Sequence, residues 1–215
     1  MALLLCLLMV DVFVIPFALA PGSLFVRTAR DVLLSLILLS GIAAVSDRRT
    51  QYLTVALAAG VAILIRGTAW LLPLDRIPGL LDVTALLSLG ILAMVVGIKV
   101  FSTGRATFDR ILGAVALYIL MGVVWAEACQ LVNSHIPASY AGIAHGSAQN
   151  DRATWIYFSF VTLTTVGYGD ITPVTHIARS LAILEALIGQ LYPAIVLARL
   201  VSLHVAAGDP RQDPP

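Results

Sequence analysis

Between Thr162 and Asp170 the chain reads Thr-Leu-Thr-Thr-Val-Gly-Tyr-Gly-Asp. Two glycines, Gly167 and Gly169, alternate with the side-chain-bearing Val166 and Tyr168, a spacing suited to lining up backbone carbonyls along one axis. Successive carbonyls point the same way only if the backbone alternates in hand, and glycine takes the left-handed conformation without a side-chain clash. Such a row of oxygens can replace the water shell of a potassium ion. Thr165 would add its hydroxyl as the innermost oxygen ring, and the backbone of Val166, Gly167, Tyr168 and Gly169 would supply the rest. Val166 and Tyr168 would turn their side chains outward and hold the diameter, with Thr164 and Asp170 supporting the two ends. The chemistry is coordination without bond making.

Carbonyls can do this only if other elements hold them. The preceding segment, Asp151-Arg152-Ala153-Thr154-Trp155-Ile156-Tyr157-Phe158-Ser159-Phe160-Val161, opens on Asp151 as an N-cap. Its apolar stretch, 153–163, is too brief to cross a bilayer and is expected to enter the membrane and return. Irregular backbone at that depth is tolerated where protein or a water-filled pore surrounds it. The C-terminal end of this helix would aim its negative pole at the ion path.

The rest of the chain is apolar enough to bury such a unit in lipid. Of 215 residues 60% are hydrophobic and 12% charged, and the mean hydropathy is +0.97, which excludes an ordinary soluble domain. A net charge of +1 leaves no basic excess for nucleic acid. Apolar stretches of about 20 residues place six spans at 2–20, 24–45, 52–72, 80–102, 109–133 and 175–204. Arg48, Arg49, Lys99, Arg105, Arg110 and Arg211 fall on one side of this arrangement, and Arg76 and Arg152 on the other. The excess predicts a multi-pass protein of the cell (plasma or inner) membrane with both termini cytoplasmic and residues 134–152 outside. The first span could be mistaken for a signal peptide ending at Ala18-Leu19-Ala20, but it has no basic start and Asp11 interrupts it; it is expected to be retained. The proline-rich tail, 206–215, is expected to be disordered. Cys6 and Cys129 lack metal-site spacing and read as free thiols.

On the filter sequence, its short helix, Pro173 and the spanning segment that follows, residues 108–205 resemble the two-helix pore domain of the potassium channel superfamily, in its bacterial ion channel group. The resemblance implies a potassium-selective channel that conducts passively, with Thr165 to Asp170 as its filter and Gly189 at the inner-helix hinge. Val161 and Tyr157 depart from members that carry a pore-helix glutamate and tryptophan there. Tyr157 can still donate its hydroxyl to Asp170, so filter inactivation is expected to differ and selectivity to persist.

Beyond Gly189, residues Gln190, Pro193, Leu197 and Val201 recur at helical spacing and are expected to line the pore. Pro193 should kink the helix, and Leu197 and Val201 could form an apolar constriction toward the cytoplasm. Glu185, one turn before Gly189, is an ionisable group at mid-membrane. It is either a modulatory, proton-sensitive element behind the filter or a carboxyl tied to a pore-helix hydroxyl such as Ser159 or Thr162. The first four spans have the layout of a voltage sensor, but Lys99 is the only basic residue of the fourth, so steep voltage dependence is not expected. Asp11, Arg27, Arg30, Asp31, Arg66 and Asp82 are expected to pair with one another, and Glu127 to be a structural or vestibule charge. His135, His145, His176 and His204 are expected at loops and helix ends; His135 and His145 could confer external pH sensitivity.

The expected fold is therefore an all-α membrane protein with six transmembrane helices and a re-entrant pore helix and filter between the fifth and sixth. Residues 1–103 form a four-helix accessory domain and 104–205 the pore domain. One filter strand cannot enclose an ion, so the chain is expected to close into a homotetramer whose partners are potassium ions and membrane lipids, with no cofactor. Alternatives are a weakly selective cation channel, a non-conducting regulatory subunit, or a membrane enzyme or transporter that borrowed the fold. Neither a catalytic triad, a metal motif nor a nucleotide-binding loop is visible in the sequence.

Overall fold

The structure is a computed structural model that describes residues 1–14, 24–44, 49–69, 79–102, 108–143 and 152–207. Helix α1, Ala2–Met9, runs into a π-helical turn, Val10–Val14. It is followed by α2, Leu24–Ala44, α3, Arg49–Ala69, and α4, Leu80–Val100. Helix α5, Phe108–His135, leads through a short strand β1, Tyr140–Ala141, to α6, Arg152–Leu163. Strand β2, Thr172–Pro173, and helix α7, His176–Ala207, complete the chain.

Described helices overlap each of the six expected spans, the first, 2–20, only as far as Val14. Among the described residues, three of them are long and apolar enough to cross a membrane: Leu80–Val100, Phe108–His135 and His176–Arg199. The 12 residues of α6 give a rod of about 18 Å, well short of a hydrocarbon core of about 30 Å. The proposed N-cap Asp151, the possible cleavage site at 18–20, His145, the boundary at 103–104 and the tail from 208 lie outside the described residues.

Helix α5 is the hub. It packs against α1, α4, α6 and α7, while α2 and α3 close the accessory group through α1 and α4. Leu117, Leu120, Val123 and Ala126 carry its buried face, joined by Leu4 and Leu8 of α1 and Leu89, Leu92 and Val96 of α4. Of the apolar window of α5, 56% is buried within the chain, against 11% for α7. Helix α7 therefore presents most of its apolar surface outward, with Ile183, Leu187, Leu191 and Ile195 all exposed.

Two clasps tie α7 to the rest. At one end, β1 pairs antiparallel with β2, Tyr140 opposite Pro173 and Ala141 opposite Thr172, and Val174 N donates to Ser139 O at 2.8 Å. At the other, Arg199 of α7 donates from Nη1 to Phe101 O at 2.8 Å and from Nη2 to Ser102 O. The same guanidinium lies 5.4 Å from the centroid of the Phe101 ring, a cation–π arrangement. It satisfies carbonyls at the end of α4 that have no helical partner. Tyr192 meets Phe101 edge-on, stacks on Tyr118, and donates its hydroxyl to Ala114 O at 2.8 Å.

Two of the charges expected to pair among the accessory helices, Asp11 and Arg30, instead reach the pore unit. Arg152, the first residue of α6, grips Asp11 through two bonds, Nη1 to Oδ1 at 2.6 Å and Nη2 to Oδ2 at 2.7 Å. Its Nε lies 3.2 Å from Glu127 Oε1, and Arg30 Nη2 lies 3.2 Å from both Glu127 oxygens. Asp11 and Glu127 are each 1% exposed, so each needs a cation once out of water. The nearest cation for Asp11 is 141 positions away along the chain, which explains why its partner was not legible in the sequence. The side chains of Arg27 and Arg66 lie outside the described residues.

Candidate ion-conduction site

Helix α6 delivers the filter segment directly. Its last turn leaves carbonyls that no later helical amide can use, and the next residues fold back to take them. Thr164 N donates to Phe160 O at 3.0 Å and Thr165 N to Thr162 O at 2.9 Å; Val166 N and Gly167 N share Val161 O at 3.0 and 3.3 Å. The threonine-rich entry adds Thr164 Oγ1 to Phe160 O at 2.6 Å and Thr162 Oγ1 to Phe158 O at 2.9 Å.

Beyond that anchor the backbone alternates in hand. Thr165 has φ of 59°, Gly167 of 57° and Gly169 of 79°. The glycines reach this region at no steric penalty. Thr165 is β-branched, and for such a residue a positive φ is an outlier that costs on the order of 1–3 kcal/mol. Strain of this kind persists only where the surroundings enforce it, and here the amides committed to α6 do so.

Tyr157 of α6 donates its hydroxyl to Asp170 Oδ2 at 2.7 Å, the bond expected from the sequence. Its ring stacks on Tyr168, with centroids 6.4 Å apart and planes 4° from parallel. Val166 and Tyr168 are nonetheless 52% and 71% exposed on the single chain. The packing expected to hold the filter's diameter is thus only partly supplied from within one chain.

Glu185 is fully buried and meets Ser159, the first of the two hydroxyls expected for it. Ser159 Oγ lies 2.5 Å from Glu185 Oε1 and 2.7 Å from Gly122 O of α5. Thr162 is engaged elsewhere.

Gly189 has a tighter role than flexibility alone. The space a Cβ would occupy there is already filled by the carbonyl oxygen of Leu163, the last residue of α6. That oxygen also faces the Tyr118 hydroxyl at 3.5 Å. Helix α7 continues through Pro193, whose missing amide leaves the Gly189 carbonyl without its helical donor. Glu185, Gly189, Tyr192, Val196 and Arg199 form the face turned to the chain's own core, while Gln190, Pro193, Leu197 and Val201 share an exposed face. His135 and His176 are exposed at helix ends. Among the described residues no group of His, Cys, Asp and Glu could hold a metal ion, and Cys6 and Cys129 are free thiols.

Sequence reasoning did not find Arg152, Tyr118, Tyr192 or Arg199 as supporting residues. The available signal was a polar group inside or beside an apolar span, which must find a partner in the fold.

A short helix that ends on a backbone of alternating hand, backed by a long apolar helix, is the arrangement of a membrane ion channel's pore unit. Residues 113–205 match the family model described as "Ion channel", and the chain belongs to that family, with a pore domain resembling those of potassium channels. Protein LctB of Bacillus caldotenax is 32% identical over 127 residues, covering 56% of this chain and 92% of the relative. Protein LctB of Geobacillus stearothermophilus is 35% identical over 126 residues, covering 55% of this chain and 90% of the relative. Two pore potassium channel c of Oryza sativa subsp. japonica is 36% identical over 85 residues, 40% of this chain and 17% of that protein. No solved structure matches the chain.

Proposed function

We propose that this ion channel is potassium-selective, and that potassium ions pass through a filter built from Thr165, Val166, Gly167, Tyr168 and Gly169 of four identical chains. The observation that carries this reading is the positive φ at Thr165, Gly167 and Gly169, which lets consecutive carbonyls face one path. Closure of four copies supports it physically, because a single strand surrounds no ion and heterologous contacts that close make a ring. The exposed apolar residues of α7 and the exposed Val166 and Tyr168 offer the surface such a ring would cover.

In this reading Tyr157, Thr164 and Asp170 support the filter. Gln190, Leu197 and Val201 line the path below it, and Leu197 and Val201 form an apolar gate that closes by dewetting. Gly189 and Pro193 set where the inner helix yields. All six helices cross the cell membrane with both termini cytoplasmic, and voltage dependence is weak because the fourth span offers Lys99 alone.

Purified protein in liposomes tests this. Potassium flux blocked by barium, with a reversal potential that follows the potassium gradient when sodium is on the other side, is the expected result. A reversal potential indifferent to the choice of the two ions would replace the reading with a weakly selective cation channel, and no flux would leave a regulatory subunit.

A further inference from the structure

Behind the filter, three helices meet at one serine. Ser159 of α6 stands 2.7 Å from the backbone carbonyl of Gly122 in α5 and 2.5 Å from Oε1 of Glu185 in α7. All three groups are oxygens, and both separations are short enough to require a proton between them. A serine hydroxyl has one proton to give and can accept as well. The Gly122 carbonyl can only accept, so the serine proton belongs to that contact. The proton in the second contact must then come from Glu185.

The surroundings agree with a neutral carboxyl. Glu185 is 0% exposed and its second oxygen, Oε2, has no hydrogen-bond partner. A carboxylate there would be an uncompensated buried charge, whereas the carbonyl oxygen of an acid left unpaired is far less costly. The described ion pairs at the outer end of the bundle join Arg30 and Arg152 to Asp11 and Glu127. Among the described residues, the titratable groups that face Glu185 are Cys129 of α5 and Tyr140 of β1, neither a cation. The Tyr140 hydroxyl meets the Cys129 thiol rather than the carboxyl.

We propose that Glu185 is a positioning residue that carries a proton in the working protein, donating it to Ser159, which in turn donates to the Gly122 carbonyl. This chain of two hydrogen bonds fixes the middle of the pore helix to the outer helix on one side and to the inner helix on the other. Ser159 lies four residues before Leu163, where the filter backbone begins to fold back, and Glu185 lies four before Gly189, where the inner helix touches Leu163. A shift at Ser159 is thereby transmitted to the filter entry. The part of the proposal that concerns ion flux rests on the potassium-filter reading; the part that concerns the proton does not.

The test compares wild type, Glu185→Gln, Glu185→Ala and Ser159→Ala by infrared spectroscopy in lipid and by potassium flux from liposomes. The carbonyl stretch of a protonated carboxylic acid is expected in wild type, absent in Glu185→Gln, and shifted in Ser159→Ala. Glutamine presents an N–H donor at the same reach, so Glu185→Gln keeps flux within about twofold of wild type, while Glu185→Ala and Ser159→Ala lose tenfold or more. Identical carbonyl spectra for wild type and Glu185→Gln would overturn the proton assignment. Flux lost in Glu185→Gln as fully as in Glu185→Ala would overturn the donor role. Should wild type itself carry no potassium, the filter reading fails while the infrared comparison still decides the proton.

Discussion

The inner helix approaches the pore helix so closely that the Leu163 carbonyl oxygen occupies the place of a Cβ on Gly189. The contact joins the last residue of α6, from which the filter springs, to the helix that would carry the gate. It makes the absence of a side chain at Gly189 a packing requirement. Pro193, one turn later, frees the Gly189 carbonyl from its helical bond, so close contact and local weakness fall at one level.

Replacement of Gly189 by alanine should therefore push α7 off Leu163. Overpacking of a fitted contact costs about 1–3 kcal/mol, and thermal unfolding in detergent is expected to show a lower midpoint together with reduced flux. A hinge role alone would alter opening while leaving the unfolding midpoint in place.

The Tyr157 hydroxyl donates to Asp170, at the end of the proposed filter. Tyr157→Phe removes that bond and keeps the stacked ring against Tyr168. On the proposed potassium-filter reading, recordings from planar bilayers are expected to show conductance that decays faster during sustained opening, with the preference for potassium over sodium unchanged.

Arg152 is the cation for two buried carboxylates. Arg152→Met leaves Asp11 and Glu127 competing for what remains, and breaking a buried pair this way costs about 3–5 kcal/mol. Asp11→Asn should cost less, because Arg152 keeps Glu127 at 3.2 Å. Unfolding midpoints of the two variants, measured side by side, check the order.

Burial pushes the Tyr140 phenol well above its ordinary value of 10.0, and neighbouring Cys129 adds to the rise. A raised folded value means that its stabilising contribution is complete below 10.0 and is lost as pH climbs beyond it toward the folded value. Its hydroxyl meets the Cys129 thiol, a weak hydrogen-bonding partner, so Tyr140→Phe is expected to stay close to wild-type stability at neutral pH. Its unfolding midpoint should also fall less than that of wild type under alkaline conditions.

Much of the site was legible because it is local. The proposed filter, its short helix and α7 are consecutive in the chain, and the bonds among Phe160, Val161, Thr162, Thr164, Thr165, Val166 and Gly167 span at most six residues. Tyr157 and Asp170 are 13 apart on a path whose turn is forced by the glycines. Ser159 and Glu185 could be matched as a hydroxyl and a carboxyl at similar depth. The partners of Asp11 and Arg30 were misassigned for the opposite reason: apolar periodicity locates a helix but does not say which helix lies beside it. Arg152 was read as a loop charge when it is the buried centre of the outer network.

What the residues alone determined was the chemistry of the backbone. Glycines at 167 and 169 permit left-handed φ, the short apolar run before them limits the pore helix to less than a membrane's thickness, and a composition that is 60% hydrophobic commits the chain to lipid. Tertiary structure decided the partners. Only packing could bring Asp11 to Arg152, set Leu163 against Gly189, and place Ser159 between Gly122 and Glu185, because buried polar groups take whichever neighbour the assembled helices provide.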